Sequence, residues 1–183
     1  LLNMAGDGIM GYVEIPKINV NLPIYHGTGN DSLERGVGHL LGSSLPVGGE
    51  STHCVISGHR GLPSAKLFTN LDQLREGDLF MIYILDELYT YEVDQIRIQL
   101  PDDTTELSIK PGEDLCTLVT CTPYAVNSHR LLVRGHRVEN TKLSDSRVVS
   151  DAIQLDDTMV AMIISVPILI GMLIWLLIYY RKR

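Results

Sequence analysis

Between residues 11 and 138 the chain is a series of short runs rich in Val, Ile, Thr and Tyr, each bounded by Gly, Pro, Asp or Asn. Runs of this kind are typical of β-strands, and the residues that bound them are typical of turns. The pattern predicts strands at residues 12–16, 18–22, 52–57, 79–85, 88–98, 115–121 and 130–138. Short strands at this spacing, with little helix between them, favour an all-β sandwich or barrel over a parallel sheet.

Helix signals are few. Residues 63–71 begin with proline and place Leu67, Leu71 and Leu74 on one face, which predicts a short helix. Residues 31–35 could form one helical turn, capped by Asn30 or Asp31. Between two predicted strands, the pair at 86–87 indicates a tight hairpin.

The C-terminal part of the chain has a different composition. The run from Met159 to Tyr180 carries no charged residue and is followed at once by three basic residues, 181–183. About 20 apolar residues suffice to cross the hydrocarbon core of a bilayer, so residues 158–180 are predicted to form a transmembrane helix. The positive-inside rule then places the basic tail in the cytoplasm and the domain that precedes the helix outside the cell membrane.

These boundaries give a simple domain organisation: a lead-in at 1–10, a β-domain at 11–138, a polar linker at 139–157, the helix at 158–180 and the tail at 181–183. The chain does not begin with Met and shows no signal segment, so we expect the natural protein to extend further towards its N-terminus. The net charge of -7 argues against nucleic acid as a partner, because such binding needs clustered Lys and Arg.

The cysteines occur in an odd number, so at least one thiol is expected to be free unless it pairs between chains. Cys116 and Cys121 are five apart in one predicted strand and should point to opposite faces of it. Without a CxxC pair a structural zinc site is not expected, and no segment resembles a calcium loop. The sequence therefore predicts neither metal nor cofactor.

Cys121 is the candidate nucleophile. It ends an apolar run, a loop follows it, and basic residues come soon after; an exposed strand end near cations is where a thiolate can be stabilised. The alternative is a buried strand cysteine that acts as a small hydrophobe, which is how we interpret Cys54 and Cys116.

A proton carrier and a charge stabiliser are also present. His59 lies between glycines just after a predicted strand, where it is well placed to reach a site. The other histidines are His26, His39, His53, His129 and His136, and His129 lies equally close to the candidate arginine. Arg130 and Arg134 share one strand face, and either could hold an oxyanion; periodicity does not choose between them.

These residues resemble the signatures of the sortases, transpeptidases that anchor or polymerise surface proteins in Gram-positive bacteria. Residues 117–121 (TLVTC) are similar to the sortase TLxTC signature, and residues 57–60 (SGHR) to the segment around its catalytic histidine. The arginine nine residues after the cysteine, Arg130, matches the catalytic arginine of the family. The stretches most similar to class C, the pilus-assembling branch, are 11–17 (GYVEIPK), 24–28 (IYHGT) and 121–135 (CTPYAVNSHRLLVRG).

The resemblance covers about residues 8–138 and implies an eight-stranded sortase β-barrel with short helices. It implies that His59, Cys121 and Arg130 are catalytic, and we predict that Thr120, within the signature, binds substrate. The expected reaction is cleavage of an LPXTG-like sorting signal through a Cys thioester, followed by transfer to a Lys amine of a pilin subunit. Because thiolate and imidazolium are needed together, turnover should be bell-shaped in pH.

Other functions remain open at this point. A housekeeping sortase would use the same residues but transfer surface proteins to peptidoglycan amines, and a cysteine protease would hydrolyse the thioester. A membrane-tethered β-domain that only binds a surface partner is the non-enzymatic alternative. Two features expected of class C do not occur in these residues: the Asp-Pro pair that anchors its N-terminal lid, and an N-terminal membrane segment. Either a lid precedes these residues in the natural protein or this member lacks one, so autoinhibition is not inferred.

Overall fold

The computed structural model describes residues 8–61 and 66–140, together with Ser165, Gly171, Met172, Trp175 and Arg181. Within these residues, eight β-strands close into a barrel in the order β1-β2-β3-β4-β7-β8-β6-β5. The strands are β1 Ile9–Ile15, β2 Val20–His26, β3 Val37–His39, β4 Thr52–Gly58, β5 Leu79–Ile84, β6 Glu87–Gln99, β7 Asp114–Thr122 and β8 His129–Val138. The barrel belongs to the first of two compact units, residues 1–143 and 144–183.

Most neighbouring strands are antiparallel, but β2 pairs with β3 and β4 pairs with β7 in parallel. The strand pattern favoured an all-β sandwich or barrel, and the eight-stranded barrel implied by the family resemblance is confirmed. The turn between β5 and β6 is the expected tight hairpin: Ile84 pairs with Glu87, and Leu85, in the left-handed region at φ 55°, and Asp86 form its loop.

Two strands differ from the predicted pattern. β3 was not predicted, because three residues with a glycine at the centre carry almost no strand signal; a Cβ on Gly38 would lie 2.2 Å from the Gly27 carbonyl oxygen, so the chain packs closely there. β2 was predicted at 18–22, whereas Pro16–Ile18 form a 3-10 turn and the strand runs through Pro23 to His26.

The core lies inside the barrel and follows the period-two alternation of the strands. Its fully buried side chains include Ile24, Ile56, Phe80, Leu118 and Val133.

Cys54 and Cys116 are free, buried neighbours in the register of β4 and β7, which confirms their interpretation as core. Burial raises the pKa of the Cys116 thiol well above its ordinary value, and the adjacent Cys54 adds to the effect. Cys121, on the opposite face of the same strand, is partly exposed, as expected from its odd spacing.

The helices are short. α1 covers Asn30–Arg35, but Gly29 occupies its N-cap and no side chain caps it, so the capping prediction is wrong. The predicted helix at 63–71 is replaced, over its described part, by turns and a 3-10 helix at Leu71–Gln73. Leu67 has φ 34°, outside the α-helical region, which excludes a continuous helix although its side chain is buried as expected, like those of Leu71 and Leu74.

The linker at 139–157 lies outside the described residues except for its first two positions, and the predicted membrane helix at 158–180 lies outside them except for four separate residues. Within the described residues, no helix has the length and apolar character needed to span a bilayer.

Candidate active site

Cys121 lies near the end of β7, on the outer face of the barrel wall. Its direct partner in the antiparallel register with β8 is Arg130. Residues paired in this way project to the same face, with Cβ atoms about 4.5–5.5 Å apart. The fold therefore places the two side chains on the same face of neighbouring strands.

His59 reaches the same place from the other side of Cys121. It follows directly after Gly58, the last residue of β4, and the parallel ladder between β4 and β7 ends with Ser57 beside Val119. His59 itself lies one residue beyond β4, and Cys121 lies two residues beyond Val119 on β7. His59, just past the end of β4, and Cys121 and Arg130, paired on β7 and β8, form the candidate catalytic row.

Contacts to β7 hold the segment on both sides of His59. The Thr120 hydroxyl donates to the Gly58 carbonyl at 2.8 Å. Arg60 donates to Thr122 at 3.3 Å, forms an ion pair with Asp72, and has its guanidinium carbon 6.0 Å from the centre of the Tyr124 ring. We did not anticipate these contacts from the sequence, since they depend on which strands are neighbours.

The two arginines on this face of β8 differ in their partners. Arg134 is only 9% exposed and makes a two-pronged ion pair with Asp94, at 2.9 and 3.1 Å. Arg130 donates to the backbone carbonyls of Asn127 and His129, and no carboxylate of the described residues lies within ion-pair distance of it. The charge of Arg130 therefore remains available to a ligand, whereas that of Arg134 is neutralised.

The remaining histidines lie elsewhere. His129 pairs with Thr122, one residue before Arg130, so its side chain points to the opposite face; its ring meets the Ser128 hydroxyl at 2.9 Å. Of the other four, His39 and His53 are buried in contacts of their own. His26 lies beside the ring of His39, and His136 faces Asp94. His59 is thus the histidine that directly follows β4, the strand parallel to the one that carries Cys121.

The position of Thr120 differs from that expected of a substrate-binding residue. It is 1% exposed, lies on the face opposite to Cys121, and its hydroxyl is engaged with the Gly58 carbonyl. This burial argues against a direct contact with substrate and gives Thr120 instead a structural role next to His59.

A cavity of about 220 Å³ lies on the outer face next to this row, and Arg130 is the member of the row that lines it. Its floor is formed by side chains of β4, β7 and β8. Its walls come from the segment between β6 and β7 and from the region around β3. Its lining residues include Ser57, Val119, Leu132, Pro101, Asp103, Thr104 and Leu107. No cluster of three or more potential metal ligands occurs in the part of the chain that the structure describes.

A family model for the sortase domain matches residues 13–138. Sortase D of Bacillus subtilis (strain 168) is 35% identical over 131 residues, covering 70% of this chain and 63% of that protein. Sortase A of Streptococcus agalactiae is 33% identical over 119 residues, covering 62% of this chain and 47% of that protein. The chain thus spans between about half and two thirds of the length of these two relatives.

Several solved structures share a higher sequence identity with this chain than these two relatives do. Sortase C1 from Streptococcus agalactiae is 60% identical with a TM-score of 0.75, covering 76% of this chain and 72% of that one. Sortase C-1 from Actinomyces oris is 55% identical with a TM-score of 0.72, covering 73% and 76%. The pilus-related sortase C of Group B Streptococcus is 48% identical with a TM-score of 0.72, covering 74% and 70%. With the barrel and these motifs, the matches show that the chain belongs to the sortase family, in likeness to its class C members.

Proposed function

We propose that this protein is a class C cysteine transpeptidase in which Cys121, His59 and Arg130 carry the reaction. The observation that supports the proposal is that β7 and β8 pair Cys121 with Arg130, and that β4, parallel to β7, ends one residue before His59. Sortases are cysteine transpeptidases, so membership of the family supports the same reaction class here.

In the first half of the reaction the Cys121 thiolate attacks the Thr carbonyl carbon of an LPXTG-like signal, forming an S–C bond. Arg130 donates hydrogen bonds to the carbonyl oxygen as it becomes negative, which stabilises the charge where it develops. The Thr–Gly C–N bond then breaks, and His59, as imidazolium, gives its proton to the departing Gly amine. The product is a thioester between Cys121 and the signal.

In the second half a primary amine attacks the thioester carbonyl and gives a proton to His59, now neutral. The C–S bond breaks, an amide forms, and the thiolate and imidazolium are restored. A thioester suits this step because an amine captures it readily, so the acyl group passes to an amine in preference to water. Cys116, buried in the core with its pKa raised by desolvation, is unsuited to the nucleophile's role.

The cavity accounts for how a peptide could reach the row. Its floor includes the apolar side chains of Val119 and Leu132, one pleat step from Cys121 and Arg130. Apolar surface with a few polar groups is usual for ligand sites, and this floor is made of side chains from three neighbouring strands. We therefore assign the sorting signal to this groove, with its scissile bond at the Arg130 end.

We propose a pilin Lys as the acceptor amine. The support is the similarity to sortase C structures, one of which is named as pilus-related. A housekeeping sortase would prefer the amine of a peptidoglycan stem peptide, so the acceptor is the point on which the two functions differ.

The test offers a fluorogenic LPXTG peptide together with either purified pilin or stem peptide. We expect joining to pilin, seen as a higher-mass band that mass spectrometry assigns to a Lys isopeptide bond. Cys121→Ala should abolish both cleavage and joining, while His129→Ala, a neighbouring histidine on the other face, should retain them. Joining by Cys121→Ala, or transfer to stem peptide alone, would refute the corresponding part of the proposal.

We also propose that the apolar run from Met159 to Tyr180 anchors the protein in the cell membrane, with the barrel outside and the C-terminus in the cytoplasm. The support is the uncharged run and the basic residues that follow it. A reporter fused after Arg183 should be active in the cytoplasm; an active extracellular reporter there would reverse the topology.

A further inference from the structure

One wall of the groove is a long connection rather than a strand. It lies between β6 and β7, and four of its residues line the cavity: Pro101, Asp103, Thr104 and Leu107. A connection of this length gains little order from its own short 3-10 turn at Thr105–Leu107. Its position must therefore be set by contacts to the sheet beneath it.

Three side chains of the sheet hold this wall. Gln99 donates to the Asp103 carbonyl, and Gln95 donates to Glu106 at 2.6 Å, but both belong to β6, the strand from which the connection departs. The third is His53 of β4, whose Nδ1 meets the Ser108 carbonyl oxygen at 2.9 Å. This third contact ties the wall to β4, on the far side of the groove floor. Closer to β7, the same connection meets the start of β4 again, where Gly112 donates to the Ser51 hydroxyl at 2.9 Å and Thr52 donates to the Glu113 carbonyl at 3.1 Å.

The partners of His53 determine its protonation state. The Ser108 carbonyl can only accept, so Nδ1 carries the proton; Nε2, 2.7 Å from the Thr117 hydroxyl, is then the acceptor. The ring is 1% exposed and both of its nitrogens are engaged. Burial lowers its pKa, as do the charges of Arg134 and Lys110, while the Ser108 contact and Asp94 act in the opposite direction. The ring is therefore held neutral.

The contact is near the catalytic row without belonging to it. Thr117 lies on the same face of β7 as Cys121, four residues earlier. Arg130 is positioned by the ladder with β7, and His59 by the contacts of Gly58 and Arg60 on either side of it. Loss of the His53 contact would therefore move the wall of the groove and leave the reacting groups in place.

We propose that His53 is a positioning residue for substrate binding: its neutral imidazole holds the Ser108 carbonyl and so sets the width of the groove that receives the sorting signal. This inference rests on the proposed function and adds to it a residue that touches neither the peptide nor the reacting atoms.

The test compares His53→Leu, which removes both polar contacts, with His53→Asn, whose amide nitrogen can replace Nδ1 as the donor to Ser108. Loss of the buried hydrogen bond to Ser108 should raise KM for the sorting peptide about tenfold in His53→Leu, while kcat stays within about twofold of the parent. His53→Asn should restore KM to within about threefold of the parent. The rate of Cys121 alkylation by iodoacetamide should be unchanged in both.

A merely structural role predicts different results: equal effects of Leu and Asn, or a fall in kcat and alkylation rate with KM unchanged. Either result would overturn the inference. If His53→Leu does not fold, Thr117→Val, which removes only the hydroxyl partner of Nε2, takes its place, and an unchanged KM in that variant would count against the proposal.

Hydrogen exchange separates this inference from the proposed function. Amides of residues 102–108 should exchange faster in His53→Leu or Thr117→Val than in His53→Asn, whatever the enzyme acts on. Unchanged exchange overturns the role of His53. Transfer retained by Cys121→Ala, in contrast, refutes only the proposed chemistry.

Discussion

Thr120→Val tests whether Thr120 supports His59 or contacts substrate. Valine has nearly the same shape as threonine, so the substitution removes only the hydroxyl that donates to the Gly58 carbonyl at 2.8 Å. At a site 1% exposed, loss of one neutral hydrogen bond should cost about 1 kcal/mol of unfolding free energy. For a domain of this size that lowers Tm by about 2–4 °C.

The same loss should affect catalysis through position. Gly58 is bonded directly to His59, so a shift of its carbonyl moves the imidazole relative to Cys121. If all of the lost ~1 kcal/mol were expressed in the transition state, kcat would fall about fivefold. KM should change little, because the side chain of Thr120 lies on the face away from the groove.

Thermal unfolding and steady-state cleavage of a fluorogenic sorting peptide provide the two measurements. Thr120→Ser, which keeps the hydroxyl, is the matched control and should retain most of kcat. A raised KM in Thr120→Val with unchanged Tm and kcat would refute this reasoning and restore Thr120 as a substrate-binding residue.

Three further predictions follow from the structure. Arg130→Ala should lower kcat by about a hundredfold or more at little cost in Tm, as expected for loss of an oxyanion donor. Arg134→Ala should mainly lower Tm, because it leaves Asp94 without its partner. Peptide cleavage assays and calorimetry would show the reverse effects if the two arginines were wrongly assigned. Burial lowers the pKa of His53 below 6.5, so its contribution to stability is complete above that pH and is lost as the pH falls through the folded pKa. In urea unfolding at a series of pH values, His53→Asn should lose less stability on the acid side than the parent. An unchanged dependence of the unfolding free energy on pH would contradict this. Iodoacetamide should label Cys121 alone in the folded barrel, as peptide mapping can show; equal labelling of the two buried thiols would contradict their placement in the core.

Much of the barrel could be predicted locally. Runs of β-branched and aromatic residues between turn residues indicate strands whatever their partners, because the period of two and the turn chemistry are properties of the chain itself. The prediction failed where tertiary contacts outweigh local preference. β3 is strand only because close packing around Gly38 brings it beside β2 and β4, and the segment from Lys66 to Leu74 buries its leucines without forming the helix that their spacing suggested.

The candidate site, too, was predictable from the sequence only in part. The thiol at a strand end, the nearby basic residues and the sortase motifs are readable in the sequence, as is the apolar run from Met159 to Tyr180. Which side chains meet depends on register, since a shift of one residue reverses the face of every side chain on a strand. That register pairs Arg130 with Cys121 and turns His129 to the other face.

By itself the sequence determined an all-β fold, its family and a short list of candidates for the chemistry, because these follow from residue types and their order. Only the tertiary structure decided that Asp94 neutralises Arg134, that the hydroxyl of Thr120 faces inward to Gly58, and that His53 reaches Ser108 across the groove floor. These contacts join residues 40 to 62 positions apart, and only strand pairing and burial bring such residues together.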